Sequence, residues 1–178
     1  MFVDPDGEFF WLPIIIGAAI SATVGYISGV AAGLRGWELF SYTFANALIG
    51  GISGGAGAAV GTGVAGALSV GGFAGGFIAG AAGGAVGGFI AGTYSTALNN
   101  ITFNRNNSIF LGGLKGGLMG GLAGGLLGGT ISGIDAVKNG ANFWDGIVTE
   151  TGGYTGPGAF LDETIPAGAK PTSTGEVI

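Results

Sequence analysis

The chain has no cysteine and no histidine among its 178 residues, and only 8% of them are charged. The first two absences exclude thiol nucleophiles, disulfides, Cys/His zinc sites and the commonest general base, and leave the redox compartment unreadable. The shortage of charge bears on solvent. Soluble domains carry about 25% charged residues, yet no Asp, Glu, Lys or Arg occurs between Glu38 and Arg105. A water-facing surface of that length needs charge, so these residues are expected to be covered by protein or lipid. Proline is missing too: the five prolines stand at 5, 13, 157, 166 and 171, leaving 14–156 without one.

The charge that remains is acidic, net −5, and gathered at the ends: Asp4, Asp6 and Glu8 at one, Glu150, Asp162, Glu163 and Glu176 at the other. Five scattered basic residues make no footprint for a phosphate backbone, so nucleic acid is not an expected partner. Acids stand where a secretory signal would carry lysines, and the apolar run behind them is too long for one. Export by the general secretory route is therefore not expected.

What fills the chain is glycine, 43 residues against an average of about 7%. Its placement divides the sequence into a head (1–11), an apolar middle (12–138) and a polar tail (139–178) that reads as turns and extended chain. Four segments make up the middle. Residues 12–34 carry Gly17, Ser21, Gly25, Gly29 and Gly33 at spacing four. The second opens on Trp37, Phe40, Tyr42 and Phe44, then runs through glycine and alanine to about Ala67. The third, 71–98, carries Gly72, Gly76, Gly80, Gly84, Gly88 and Gly92, with Phe73, Phe77 and Phe89 between. A polar break, NNITFNRNNS, precedes the fourth, 109–134. There Gly113, Gly117, Gly121, Gly125, Gly129 and Gly133 run beside Gly112, Gly116, Gly120, Gly124 and Gly128.

Spacing four suits a strand as well as a helix, because it is a multiple of two. Length decides: these segments far exceed the usual strand of about 5–6 residues. The Leu, Met and Ala of the fourth segment also favour helix. The sequence therefore predicts an all-α fold, a bundle of glycine-zipper hairpins built from about four apolar helices, with irregular head and tail. In water, eleven glycines between 112 and 133 would cost a helix on the order of 10 kcal/mol. Hydrocarbon, which forces backbone pairing, or close contact between backbones removes that objection. The columns follow the i±4 ridge, which predicts right-handed crossings of roughly −40 to −50°. If all four segments span a bilayer, Arg35, Arg105 and Lys115 fall on one side, the cytoplasmic one by the positive-inside tendency. The head, Asp135 and Lys138 fall on the other.

Motifs for chemistry are weak. The GxGxxG-like string at Gly61, Gly63 and Gly66 lacks a preceding strand and a later acid. Lys115 is followed by Gly116, which rules out a P-loop, and reads as a pore-lining or snorkelling lysine. Asp162 and Glu163 read as a solvated tail. No catalytic residue, metal or cofactor is expected.

The opening FVDPDGEFFW, with Asp4-Pro5-Asp6-Gly7, resembles the C-terminal edge of the core of rearrangement-hotspot (Rhs) repeat proteins, β-shelled carriers of variable toxins. The stretch GGFAGGFIAGAAGG and the block AVKNGANFWDG look like the Gly-rich region that follows such cores in Bacteroidetes relatives. The end, IPAGAKPTSTGEV, looks like the start of a payload. In that family self-cleavage goes with paired Asp-Pro-x-Gly motifs; one copy stands here, so no cleaving residue is assigned. The resemblance implies a truncated frame, an excised fragment, or a protein whose glycine region is itself the effector. The leading expectation is a non-enzymatic membrane-inserting or translocating segment of a contact-delivered toxin, acting at the target-cell membrane. Its expected partners are a lipid bilayer, an Rhs shell, an immunity protein and further copies of itself. The alternatives are a structural spacer packed inside the shell and a toxin missing its catalytic half.

Overall fold

The computed structural model describes residues 11–148; Asp4, Pro5, Asp6 and Gly7 and the tail from 149 onward lie outside the described residues. Four helices follow one another: α1 (Trp11–Ala31), α2 (Gly36–Ala67), α3 (Gly72–Thr102) and α4 (Ile109–Lys138). No strand occurs among the described residues. The all-helical architecture expected from Leu, Ala and Met between the glycines is the one observed.

The helices pack in chain order. The most extensive contact joins α3 to α4, then α1 to α2, then α2 to α3. Each connection is a short turn, so neighbours run antiparallel. Arg35 in the first turn and Arg105 in the third come to the same end, whereas Asp135, Lys138 and Asp145 lie at the other. At 1.5 Å per residue α2, α3 and α4 are each about 45 Å long and α1 about 30 Å.

The turns have local causes. After α1 the Gly33 amide bonds Val30 O at 3.0 Å and the Leu34 amide bonds Gly29 O at 2.9 Å. That is a Schellman ending, and Gly33 supplies the left-handed residue it needs at φ +87°. Gly140, at φ +75°, closes α4 the same way. Asn104, at φ 48°, does so after α3, where the Arg105 amide reaches Asn100 O at 3.0 Å. Ser108 caps α4 by accepting from the Leu111 amide at 3.3 Å.

Three boundaries differ from the sequence expectation: α1 stops at Ala31, short of 34, whereas α3 and α4 run longer. α3 continues through Asn99 and Asn100 because each amide side chain has tertiary work. Tyr42 donates its hydroxyl to Asn99 Oδ1 at 2.6 Å. Asn100 clasps Asn107, donating to its carbonyl at 2.8 Å and accepting from its amide at 3.0 Å. α4 passes Gly133 to Lys138, and the chain then folds back. Residues 142–147 form a strap whose carbonyls accept from the first amides of α3: Asp145 from Gly71 (3.1 Å), Phe143 from Phe73 (2.6 Å) and Trp144 from Ala74 (2.9 Å). The strap satisfies the orphan amides that α3, opening on glycine, cannot cap with a side chain.

Candidate membrane-facing surface and the glycine interfaces behind it

The α3–α4 contact is built from two registers. In the first, glycine faces glycine: Gly76 with Gly128, Gly80 with Gly124, Gly84 with Gly120, Gly88 with Gly116 and Gly92 with Gly112. A Cβ added at any of these ten would run into the carbonyl oxygen of its partner, or into Thr96 in the case of Gly112. The hydrogen standing where Cβ would be points at that carbonyl, the arrangement of a Cα–H···O contact worth about 0.5–1 kcal/mol. That is close to the ~1 kcal/mol each glycine costs an aqueous helix.

In the second register, α3 presents Phe73, Phe77, Ala81, Ala85 and Phe89 to Gly129, Gly125, Gly121, Gly117 and Gly113 of α4. A Cβ at Gly125 would stand 3.0 Å from the Phe77 ring, and one at Gly129 2.9 Å from the Phe73 ring. Here the missing side chain makes room for an aromatic ring. Gly133 serves Phe143 of the strap in the same way, at 2.5 Å. Of the residues singled out from spacing, Gly113, Gly125, Gly129 and Gly133 thus receive side chains, Gly117 and Gly121 lie nearest the Ala85 and Ala81 carbonyls, and the neighbouring column Gly112 to Gly128 makes the closer backbone contact.

Contact at both ends of this interface is as close as in its middle. Straight helices crossing at about 45° would diverge by roughly 9 Å within two turns or so of the crossing point, given the rise per residue. The steep crossing expected from the i±4 ridge therefore does not describe this pair. The axes stay near antiparallel, and a repeat longer than 3.6 residues is one that favours right-handed winding.

The other interfaces reuse the device. On α1, Gly17 lies against the Gly50 carbonyl and Gly54 of α2, Gly25 against Asn46, and Gly29 against Leu39 and Tyr42. Between α2 and α3, a Cβ at Gly57 would meet Gly83 O at 2.8 Å, and one at Gly87 would meet Ser53 O at 2.7 Å. Gly50, Gly54, Gly57, Gly83 and Gly87 were not singled out by spacing. Gly83 and Gly87 stand in the doublets 83–84 and 87–88, in which the first glycine faces α2 and the second faces α4. Two chosen residues do other work. Gly33 is the Schellman glycine and has open space around it. Gly72, at φ +57°, is pressed against the strap, where a Cβ would stand 2.5 Å from the Gly146 amide nitrogen.

With glycine inside, large apolar side chains are outside. Tyr42 and Ala79 are the buried hydrophobic residues of the described chain, and no large side chain there is fully buried. Exposed instead are Ile15 and Ile20 on α1, Leu48 and Ile52 on α2, and Leu118, Met119, Leu126, Leu127 and Ile131 on α4. A soluble monomer rarely shows an apolar patch beyond a few hundred Å². Hydroxyls on the same surface turn inward: Thr23, Ser28, Thr62, Thr93, Thr96 and Thr130 donate to the carbonyl four residues earlier, at 2.7 to 2.9 Å. That leaves few groups asking for water. All four helices are long and apolar enough to cross a membrane.

Aromatic side chains collect toward the two ends. Trp37 stacks on Phe40 and Phe40 on Phe44 at the arginine end. At the other, Phe73, Phe143 and Trp144 form a cluster with centroids 5.0 to 5.7 Å apart. One groove, of about 510 Å³, lies on the α3–α4 face. No group of three or more potential metal ligands occurs among the described residues. Compared with known proteins, the chain matches no family model, no curated relative and no solved structure.

Proposed function

We propose that residues 11–138 are a non-enzymatic membrane-inserting unit, in which two helical hairpins, α1–α2 and α3–α4, enter a bilayer with their glycines in contact and their Leu, Ile and Phe toward lipid. The observation that carries this reading is the inverted burial: glycine within, large apolar side chains exposed on every helix. In water that surface would have to associate or aggregate; in hydrocarbon it is already solvated. The aromatic groups at the ends suit the interfacial belts of membrane proteins. Arg35 and Arg105 at one end suit a cytoplasmic side.

The resemblance of the head to Rhs cores gives the unit a context: a segment of a contact-delivered toxin, carried shielded in a shell and released at a target-cell membrane. The shell, an immunity protein and further copies are its proposed partners. The test is purified protein added to dye-loaded vesicles and to planar bilayers. Dye release or stepwise conductance, with the protein floating with the vesicles, is the expected result. Protein that stays in the aqueous fraction and leaves the dye inside would remove the reading in favour of a spacer that never meets lipid.

A further inference from the structure

The groove on the α3–α4 face is a gap in an otherwise regular pattern. Along α3 the positions facing the second glycine column of α4 are Phe73, Phe77, Ala81, Ala85 and Phe89. Where phenylalanine stands, a ring lies over the glycine. At Ala81 and Ala85 the glycines remain, as Gly121 and Gly117, and no ring covers them. The trench runs between Phe77 and Phe89, floored by Gly117 and walled by Leu114 and Leu118, with no charged or polar side chain in its lining. From Phe77 to Phe89 is about 18 Å along the helix, close to half of a hydrocarbon core roughly 30 Å thick.

Beside the trench stands the charge that breaks the apolar surface of α4. Lys115 is exposed. It lies three and four residues from Leu118 and Leu111, hence on their side of the helix. Its side chain leans toward the helix N-terminus, the end where Arg105 and the first amides of α4 lie. A bare ammonium against hydrocarbon is costly, and one that reaches a headgroup is not. The cations at this end are Arg35, Arg105 and Lys115, with Glu38 the one acid there among the described residues.

We propose that the α3–α4 trench holds one acyl chain of an anionic phospholipid, with its headgroup drawn to Lys115. The proposal rests on the membrane reading above, and goes beyond it in naming a lipid class and a site. The test uses the full chain in phosphatidylcholine vesicles doped with phosphatidylglycerol or phosphatidylcholine carrying a photoactivatable acyl chain, with labelled peptides mapped. Label from the phosphatidylglycerol probe should concentrate in 77–89 and 114–122 rather than at Ile20 or Ile27 of α1. Lys115→Gln, which leaves the glycine contacts untouched, should cut that label about fivefold, the effect of one basic residue at an anionic surface. Ala85→Phe, which continues the ring-over-glycine pattern, should remove it.

Equal labelling by the two probes, even labelling of α1 and α3–α4, or label that persists in Ala85→Phe would overturn the proposal. A disulfide dimer through Leu118→Cys without lipid label would overturn it too, and give the trench to a second copy. Flotation of the same samples separates the two levels: protein that floats but labels evenly sinks the site alone, and protein that does not float sinks the membrane reading beneath it.

Discussion

At the scale of single residues, the same glycine-to-alanine change should have opposite consequences at two positions. At Gly84 a Cβ would collide with the Gly120 carbonyl, its carbon at 2.7 Å and Gly124 Cα at 3.2 Å, all backbone that cannot step aside. Gly84→Ala is expected to cost about 1–3 kcal/mol, the usual size of an overpacked contact. Gly63 has nothing within 4 Å, so Gly63→Ala should be neutral or gain up to ~1 kcal/mol from helix propensity alone. Detergent titration of vesicle-reconstituted protein, followed by far-ultraviolet circular dichroism, reads both. If Gly84→Ala were as well tolerated as Gly63→Ala, the backbone contact would carry no energy. A third position tests a polar contact. Tyr42→Phe removes the 2.6 Å hydrogen bond to Asn99 and should cost about 0.5–1 kcal/mol in the same assay.

The residue scale is also where the sequence is most and least informative. Spacing four made the columns visible, because no requirement other than close approach repeats glycine at that interval for five turns. Spacing could not say which column meets which. Gly128 and Gly129 look alike in sequence, yet one meets a carbonyl and the other a phenyl ring. That distinction depends on which α3 residues lie opposite, a matter of register. Gly33 belongs to the same column by arithmetic but ends its helix, since position in the turn outweighs periodicity.

At the scale of elements, helices with almost no side-chain capping are held by tertiary partners. α3 opens on glycine, and its first amides are satisfied by the carbonyls of the strap, which Phe143 and Trp144 pin against Phe73. Phe143→Ala should loosen the strap and expose those amides. Hydrogen exchange at Phe73 and Ala74 is expected to speed up by at least about tenfold, with the middle of α3 near Gly84 unchanged. Unchanged exchange at the two amides would mean that the strap does not cap the helix. The ends of α3 and α4 were the elements least legible in the sequence. Asn99 and Asn100 look like a break because asparagine is a poor helix former. Tyr42 and Asn107 override that preference from outside the helix.

At the scale of the molecule, burial is turned inside out. A water-soluble helical protein hides leucine and phenylalanine and tolerates glycine in its turns; this one hides glycine and shows the rest. The stretch between 38 and 105 carries no charge, and the helical arrangement leaves many of its large apolar side chains exposed. Serial packing of α1 to α4 leaves each helix an outer face, so the exposed apolar surface is large.

The lack of cysteine allows the central point to be measured directly. Single cysteines placed at Ile20, Ile52, Leu118 and Leu126, labelled with a nitroxide in vesicle-reconstituted protein, report collision with oxygen, which is concentrated in hydrocarbon, and with a water-soluble nickel complex. High oxygen and low nickel accessibility at all four sites is the expected result. Nickel accessibility as high as at a loop position such as Asn106 would contradict a lipid-facing exterior.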